Sequence, residues 1–389
     1  MAAAAPPSSP TPPPARIAVI GAAWWSQGWH LPQLMRNPDS EIAAIMQRSE
    51  QPTAAAFLNL TLETKTQLAA RYPGVPIFSS CEELLADEAA MSALDGVIIC
   101  TAHSCHMSMG KLFLDAGKHV LMEKPMTVDV AEARLLAAEA AARAPQQAFM
   151  VNNTANFRDK AFDARRLVSG GELGDIHHVM CYMYSPLMFL FDDAANTGWV
   201  KPSGTMVQPD GSGNGFGWGQ LSHLLGWVLM VGGLDVEEVT ALTHRSEKSG
   251  ADLTDAALIK CARGVSVSLS GSCSLPGNEH GDEATGKLFQ IKMFGSKGVL
   301  TYGGDDKHQG SGKLELTKHD GSATYVSEGF LMENTEAEGN GPESLLNFVA
   351  ACRGLPFRNG ADQEVGLQAV RVLDAMYRSA ASGKTEQAL

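Results

Sequence analysis

Arg48 and Ser49 stand just past an apolar run, "EIAAIM", at residues 41–46. If that run is the second strand of a dinucleotide-binding unit, the residues after it select the nucleotide. A carboxylate there binds a ribose 2′-hydroxyl and repels a 2′-phosphate, whereas a guanidinium and a hydroxyl hold the phosphate. Gln47-Arg48-Ser49 therefore points to NADP, with NAD as the alternative; Glu50 falls slightly late to be the usual acid. The competing reading makes Arg48 a solvated surface residue. The matching phosphate-binding turn is "GAAWWSQGWHLP", Gly21 to Pro32. A G-x-G-x-x-G turn lets pyrophosphate approach the amino end of a helix. Here the positions read Gly21, Ala23 and Ser26, with Trp24 and Trp25 between them, and these five residues form the candidate cofactor turn. Another register ends at Gly28 and implies a two-residue insertion. An ordinary strand–helix turn with packing tryptophans is the third possibility.

Two further groups could handle protons. Lys124 lies between Glu123 and Pro125, after "GKHVLM". Proline fixes its own φ and holds its predecessor extended, so the lysine is kept out of a helix. His223 lies in "GQLSHLLGW", where a lone histidine on an apolar helix is ordinarily a core residue. His30, His103 and His106 have no common zinc spacing, so no metal is expected. The seven cysteines are scattered, odd in number and without a CxxC pair, which reads as reduced thiols.

These residues need a scaffold. Strand-like runs at 16–21, 41–46, 74–80, 95–101, 118–122 and 147–152 alternate with helical stretches near 62–71, 81–87, 105–116 and 127–143. That rhythm predicts βαβ units and a parallel sheet covered on both faces. Ligands then bind beyond the carboxyl ends of the strands, at Gly21, Gln47, Thr101 and Glu123. After a helix at 157–170, the chain changes to strand-like runs joined by short turns, such as "HHVMCYMY", "DAALIKCA" and "LFQIKMFG". A glycine-rich segment from Gly204 to Gly219 leads to an apolar helix near 220–231, and helices return at 342–352 and 363–382. The expected fold is α/β: a Rossmann-like parallel-sheet domain over 16–152, then an α+β domain with a large mixed or antiparallel sheet over 153–389. The C-terminal helices are free to pack back on the first domain.

The net charge of −13 over 389 residues disfavours nucleic acid as a partner. No apolar run reaches about 18 residues, so no membrane span is expected. Residues 1–15, "MAAAAPPSSPTPPPA", read as a disordered tail without the marks of a signal or transit peptide. Cytoplasm is the expected location.

The segment "CTAHSCHMSMGKLFLDAGKHVLMEKP" (100–125), with "HLP" at 30–32 and "SGGELGDI" at 169–176, resembles the Gfo/Idh/MocA oxidoreductases, named for glucose–fructose oxidoreductase, inositol dehydrogenase and rhizopine catabolism. That family reads T-P-N-x-x-H at the fourth strand and A-G-K-H-V-x-x-E-K-P at the fifth. The chain matches at Thr101, His106, Ala116, Gly117, Lys118, His119, Val120, Glu123, Lys124 and Pro125, and departs at Ala102 and His103. The resemblance implies that Thr101, His103, His106, Glu123 and Lys124 line the cofactor. It also implies that the Lys124–Pro125 bond is often cis, and that Lys124 contacts a substrate hydroxyl or carbonyl and assists proton transfer. A family helix D-x-G-x-H-x-x-D places His223 at the nicotinamide, with Gly219 and Gly226 where aspartates are usual and Gln220 beside them. Asn152, Arg158 and Gln220 become candidate substrate contacts, and Tyr182, Tyr184, Trp199 and Trp218 either form a sugar wall or serve as packing residues. The implied substrate is a sugar, polyol or related cyclic compound, and the implied assembly a homodimer or homotetramer. Two rivals remain: glycoside cleavage with retained NAD and no net redox, and an NADP-binding regulatory protein without catalysis.

Overall fold

The computed structural model describes residues 12–51, 56–57, 60–192, 215–277, 286–305, 307–308, 310–330 and 342–389. Most of the N-terminal tail, Trp199 and positions 204–214 of the glycine-rich segment lie outside the described residues.

The first half runs β1 (Ala15–Ile20), β2 (Ser40–Met46), a small hairpin of β3 (Ala56–Phe57) and β4 (Leu60–Thr61), then β5 (Ile77–Phe78), β6 (Gly96–Ile99), β7 (His119–Met122) and β8 (Phe149–Val151). Six of these form one sheet in the order β5-β2-β1-β6-β7-β8, with every pair parallel. Ile17, Val19, Ile20, Val97, Ile98 and Val120 are all buried, as continuous apolar strands covered on both faces must be. β1 has β2 on one side and β6 on the other, so successive crossovers leave it in opposite directions and open a crevice at the carboxyl ends.

The second sheet has nine strands: β9 (Ile176–Tyr184), β10 (Val236–Arg245), β11 (Asp252–Cys261), β12 (Ser266–Ser272), β13 (Leu288–Gly295), β14 (Gly298–Asp305), β15 (Gly312–Lys318), β16 (Ala323–Phe330) and β17 (Glu386–Gln387). Their order is β16-β15-β14-β13-β9-β12-β11-β10-β17; β9 and β12 are parallel, the other pairs antiparallel. Along β9, Val179, Cys181 and Met183 alternate inward and are buried. The helices Ser222–Gly232 and Gln363–Ser382 cover this inner side, the first against β9 and the second against β10.

The C-terminal helices also close the first sheet. A Cβ on Gly366 would lie 2.7 Å from Met126 Sδ and 3.0 Å from Val151 Cγ2, and one on Gly96 would lie 2.6 Å from Cys352 Sγ. Glycine at both places permits the close approach.

Differences from the expected elements are local. The run 74–80 contributes only the two-residue β5, because Pro76 precedes it and a bend follows at Ser79. The helix Cys81–Ala86 is followed by a separate one, Glu88–Ala93, capped by the Asp87 side chain on Ala90 N. The β3–β4 hairpin was not among the expected elements, and the helix expected after the first strand begins with a π-turn. No helix among the described residues is long and apolar enough to cross a membrane. All seven cysteines are unpaired.

Candidate functional site

Gly21 ends β1 with φ +92°, where L side chains are strained. A Cβ there would also lie 2.7 Å from Thr101 Cγ2 and 2.8 Å from the Cys100 carbonyl, so glycine lets the ends of β1 and β6 meet. The backbone turns helical at Trp24 and then widens into a π-turn, Ser26–His30, in which Leu31 N donates to Ser26 O. Pro32 supplies no N–H for the preceding carbonyls, which disfavours a regular α-turn there. The first N–H groups of this helical stretch have no intrahelical acceptor, the usual provision for a phosphate.

The Ser26 hydroxyl donates back to the Gly21 carbonyl. Gln27 donates to Ala22 O and accepts from Glu63 N, tying the turn to the segment before the next helix. Ala23 is exposed. Trp25 and Trp29 stack with centroids 4.2 Å apart, and Trp24 meets both edge-on. The tryptophans therefore pack on one another while remaining partly exposed.

At the end of β2, Arg48 and Ser49 are exposed. Ser49 Oγ donates to Gln51 O at 2.6 Å. Glu50 turns away and accepts from Thr66 N at the start of the helix Lys65–Arg71. Gln47 is buried, and its Nε2 has no acceptor among the described residues.

The floor of the crevice is a buried polar network centred on Glu123. Its Oε1 accepts from Asn152 Nδ2 at 2.6 Å and lies 2.8 Å from His30 Nε2. Burial pushes this carboxyl up, but the His30 hydrogen bond and charge, Asn152 and Lys124 outweigh it and leave the group below its ordinary value. Ligand-type atoms of His30, Cys100 and Glu123 lie within 4.8 Å of one another. Burial pushes the Cys100 thiol well up, so it is a neutral group beside the pair.

His106 is fully enclosed. Its Nδ1 faces Pro125 O at 2.9 Å and its Nε2 faces Thr101 O at 3.3 Å, so it braces the Lys124–Pro125 turn against β6. The Lys124–Pro125 peptide is cis. His103 is buried near His106, with ring centroids 5.3 Å apart, and its Nδ1 has no partner among the described residues. Burial first, then His106 and Lys124, hold it well below the usual imidazole range.

Lys124 Nζ crosses to the second half of the chain and donates to Gly219 O at 2.7 Å. Gly219 belongs to a second π-turn, Gly217–Leu221, in which Ser222 N donates to Gly217 O. The helix Ser222–Gly232 continues from it, carrying His223 one turn beyond Gly219, buried. Thus Lys124 and the turn leading to His223, 95 residues apart, meet through one hydrogen bond. Gln220 is partly exposed, and its Oε1 has no donor among the described residues. Gly226 is occupied from outside: a Cβ there would lie 2.4 Å from Asn153 Nδ2.

Not every candidate joins this group. Arg158 pairs with Glu343 at 2.5 Å, which gives it a structural partner on the helix Glu343–Cys352. Trp218 is fully buried and stacks on Tyr377, with centroids 5.8 Å apart, so it is core rather than a ligand wall. Tyr182 and Tyr184 lie on the sheet face opposite the helices, bonded to Gln290 and Ser270. Asn153, which like Asn152 follows the sixth strand and was expected near the crevice, packs against Gly226, 73 positions away.

The chain matches an oxidoreductase-family profile with an NAD-binding Rossmann fold over residues 15–152 and a GFO/IDH/MocA C-terminal domain over 163–301. It is 25% identical over 240 residues, 62% of this chain and 59% of the relative, to an uncharacterized oxidoreductase, YdgJ, of Escherichia coli. It is 28% identical over 249 residues, 61% of this chain and 68% of the relative, to trans-1,2-dihydrobenzene-1,2-diol dehydrogenase of Oryctolagus cuniculus. For YdgJ and two Schizosaccharomyces pombe oxidoreductases, the match takes in 40–59% of the relative's length. Among solved structures, GenD2 from gentamicin A biosynthesis in complex with NAD superposes with a TM-score of 0.69 at 21% identity, covering 99% of each chain. An oxidoreductase domain protein from Kribbella flavida gives 0.69 at 20% identity, covering 97% of this chain and 100% of that one. At such identities these two likenesses establish the fold.

Proposed function

The chain is a member of the Gfo/Idh/MocA oxidoreductase family, and from that premise we propose that it is an NADP-dependent dehydrogenase or reductase of a cyclic secondary alcohol or ketone, of the sugar, polyol or diol kind. The observation that carries the reading is the 2.7 Å bond between Lys124 Nζ and Gly219 O. It brings a flexible ammonium from the carboxyl end of the parallel sheet to the turn that leads into His223.

The cofactor's fit rests on several features of the first half. Gly21 allows the close turn, helical N–H groups follow it, and Gln47 Nε2 is a buried donor lacking an acceptor. Arg48 and Ser49 are exposed where a 2′-phosphate would lie. When bound, the nicotinamide supplies or takes up the hydride. The protein's own work is to hold the substrate oxygen and move its proton. In the oxidation direction, Lys124 Nζ keeps its bond to Gly219 O and offers a second N–H to the substrate oxygen, stabilising the developing alkoxide. His223 accepts the hydroxyl proton, and in reduction returns it. Asn152 and Gln220, each with a side-chain oxygen lacking a donor, accept hydrogen bonds from neighbouring substrate hydroxyls. Two such acceptors suit a substrate with more than one hydroxyl, as the diol named for the rabbit relative has.

The test is nicotinamide reduction followed optically with NADP and with NAD across cyclic diols, inositols and pyranoses. The reading expects turnover with at least one vicinal cyclic diol and a preference for NADP. Binding of NADP without turnover on any member would favour a non-catalytic role.

A further inference from the structure

Beneath the π-turn of Gly219 lies a pair of buried acids that the proposed chemistry does not use. β10 and β11 pair so that Thr243 faces Asp255, His244 faces Thr254 and Arg245 faces Asp252; Leu253 is the extra residue of a bulge. Strict alternation would send Asp252 and Asp255 to opposite faces of the sheet. The bulge turns both inward, where both are completely enclosed.

Their partners lead directly to the site. Asp252 Oδ2 accepts from Gly217 N at 2.7 Å and from Tyr377 OH at 3.0 Å. The same Tyr377 oxygen accepts from Trp218 N at 3.3 Å. The first two N–H groups of the π-turn are thus bound to one carboxylate–phenol unit, and the next residue, Gly219, presents its carbonyl to Lys124. Asp255 Oδ1 accepts from Thr243 Oγ1 at 2.8 Å. Asp252 Oδ1 and Asp255 Oδ2 meet no other N–H or O–H among the described residues, so a proton is the group that can join the two carboxyls. The Arg245 guanidinium sits 5.7 Å above the Tyr377 ring and moderates the charge of the pair.

We propose that Asp252 and Tyr377 are positioning residues for Lys124, setting the place of the Gly219 carbonyl through the N–H groups of Gly217 and Trp218. Asp255 supports them by sharing a proton with Asp252, so that a single negative charge is retained under the turn. This rests on the reading of Lys124 as the substrate-facing cation.

The experiment is acylation of Lys124 at fixed pH, read by peptide mass spectrometry against the exposed Lys384, in the full-length protein and in Tyr377→Phe and Asp252→Asn. An ammonium that loses a placed carbonyl acceptor deprotonates more readily, so Lys124 labelling relative to Lys384 should rise about fivefold in either variant. NADPH affinity should stay within about twofold while kcat falls. Tyr377→Phe, which removes one oxygen and keeps the ring stack, guards against a variant that does not fold. An unchanged labelling ratio in variants with native near-ultraviolet circular dichroism overturns the proposal. Full turnover in Lys124→Ala would instead overturn the premise about the lysine, whatever the labelling shows.

Discussion

Residue by residue, the crevice shows how one side chain fixes the task of the next. Glu123 stays ionised although buried, because His30 and Asn152 bond to it. His103 stays neutral for the opposite reason, since burial first, then the neighbouring His106 and Lys124, oppose its charging. Arg48 is an exposed guanidinium just beyond β2, where we propose that the nucleotide's 2′-phosphate binds. Arg48→Ala should cost NADPH about 1.5–3 kcal/mol of binding and leave NADH almost unchanged, as expected for a charge-assisted phosphate contact. Equal affinities for the two nucleotides in the unmutated protein would remove that role. Lys124 was legible as the end of a strand blocked by proline, and the family motif suggested the task we propose for it. Its partner was not legible, because Gly219 contributes a backbone carbonyl and any residue type could have offered one.

At the scale of the element, the two π-turns matter most, one at each side of the crevice. Strand positions in both halves followed from apolar runs and turns, but neither π-turn has a residue signature that separates it from an α-helix. The glycines that replace the family's aspartates have separate consequences. Gly226 makes room for Asn153, so Gly226→Asp should not simply restore the family pattern. It should destabilise the fold by about 1–3 kcal/mol through overpacking, and Asn153→Ala should recover part of that loss. Thermal melts of the three variants check this, and a Gly226→Asp protein as stable as the parent contradicts it.

The acid pair gives a pH-dependent counterpart. Burial, then Asp252, pushes the Asp255 carboxyl well above its ordinary value. A raised carboxyl contributes stability that is complete below the unfolded value, about 3.9, and that fades as pH rises through the folded value. Asparagine carries no such dependence and can still give a proton to Asp252 and accept from Thr243. Asp255→Asn should therefore gain stability relative to the parent as pH rises from 5 to 8 in urea unfolding. A difference that does not change with pH would mean that the two acids do not share a proton. This pair escaped a reading of the sequence because alternation placed its members on opposite faces, and the bulge at Leu253 appears only in the paired sheet.

On the scale of the whole molecule, the parallel sheet and the nine-stranded sheet are joined by more than the peptide at residue 152. The last two helices return to pack on Met126, Val151 and Gly96, and Lys124 reaches Gly219 across the crevice. A fragment of residues 12–152 would expose those buried contacts, so it should lack near-ultraviolet dichroism and bind no nucleotide. A fragment that folds and binds NADPH would show that the return of the helices is dispensable. The alternation of strands and helices along the chain could be expected from periodicity and turn residues; the order of strands within each sheet could not. The distance between Lys124 and His223 along the chain hid how the halves meet, since that meeting depends on tertiary closure.

The central claim is that Lys124 acts on the oxygen of a cyclic alcohol or ketone while NADP exchanges hydride with its carbon. It is tested most directly by deuterium transfer from C4-labelled NADPH into a panel of cyclic hydroxyketones, with the parent protein and Lys124→Ala compared at equal nucleotide occupancy. The account predicts deuterium at the carbinol carbon with the parent, a rate lower by about a thousandfold in Lys124→Ala, and NADPH affinity within a few-fold of the parent. Equal transfer rates in the two proteins would contradict it.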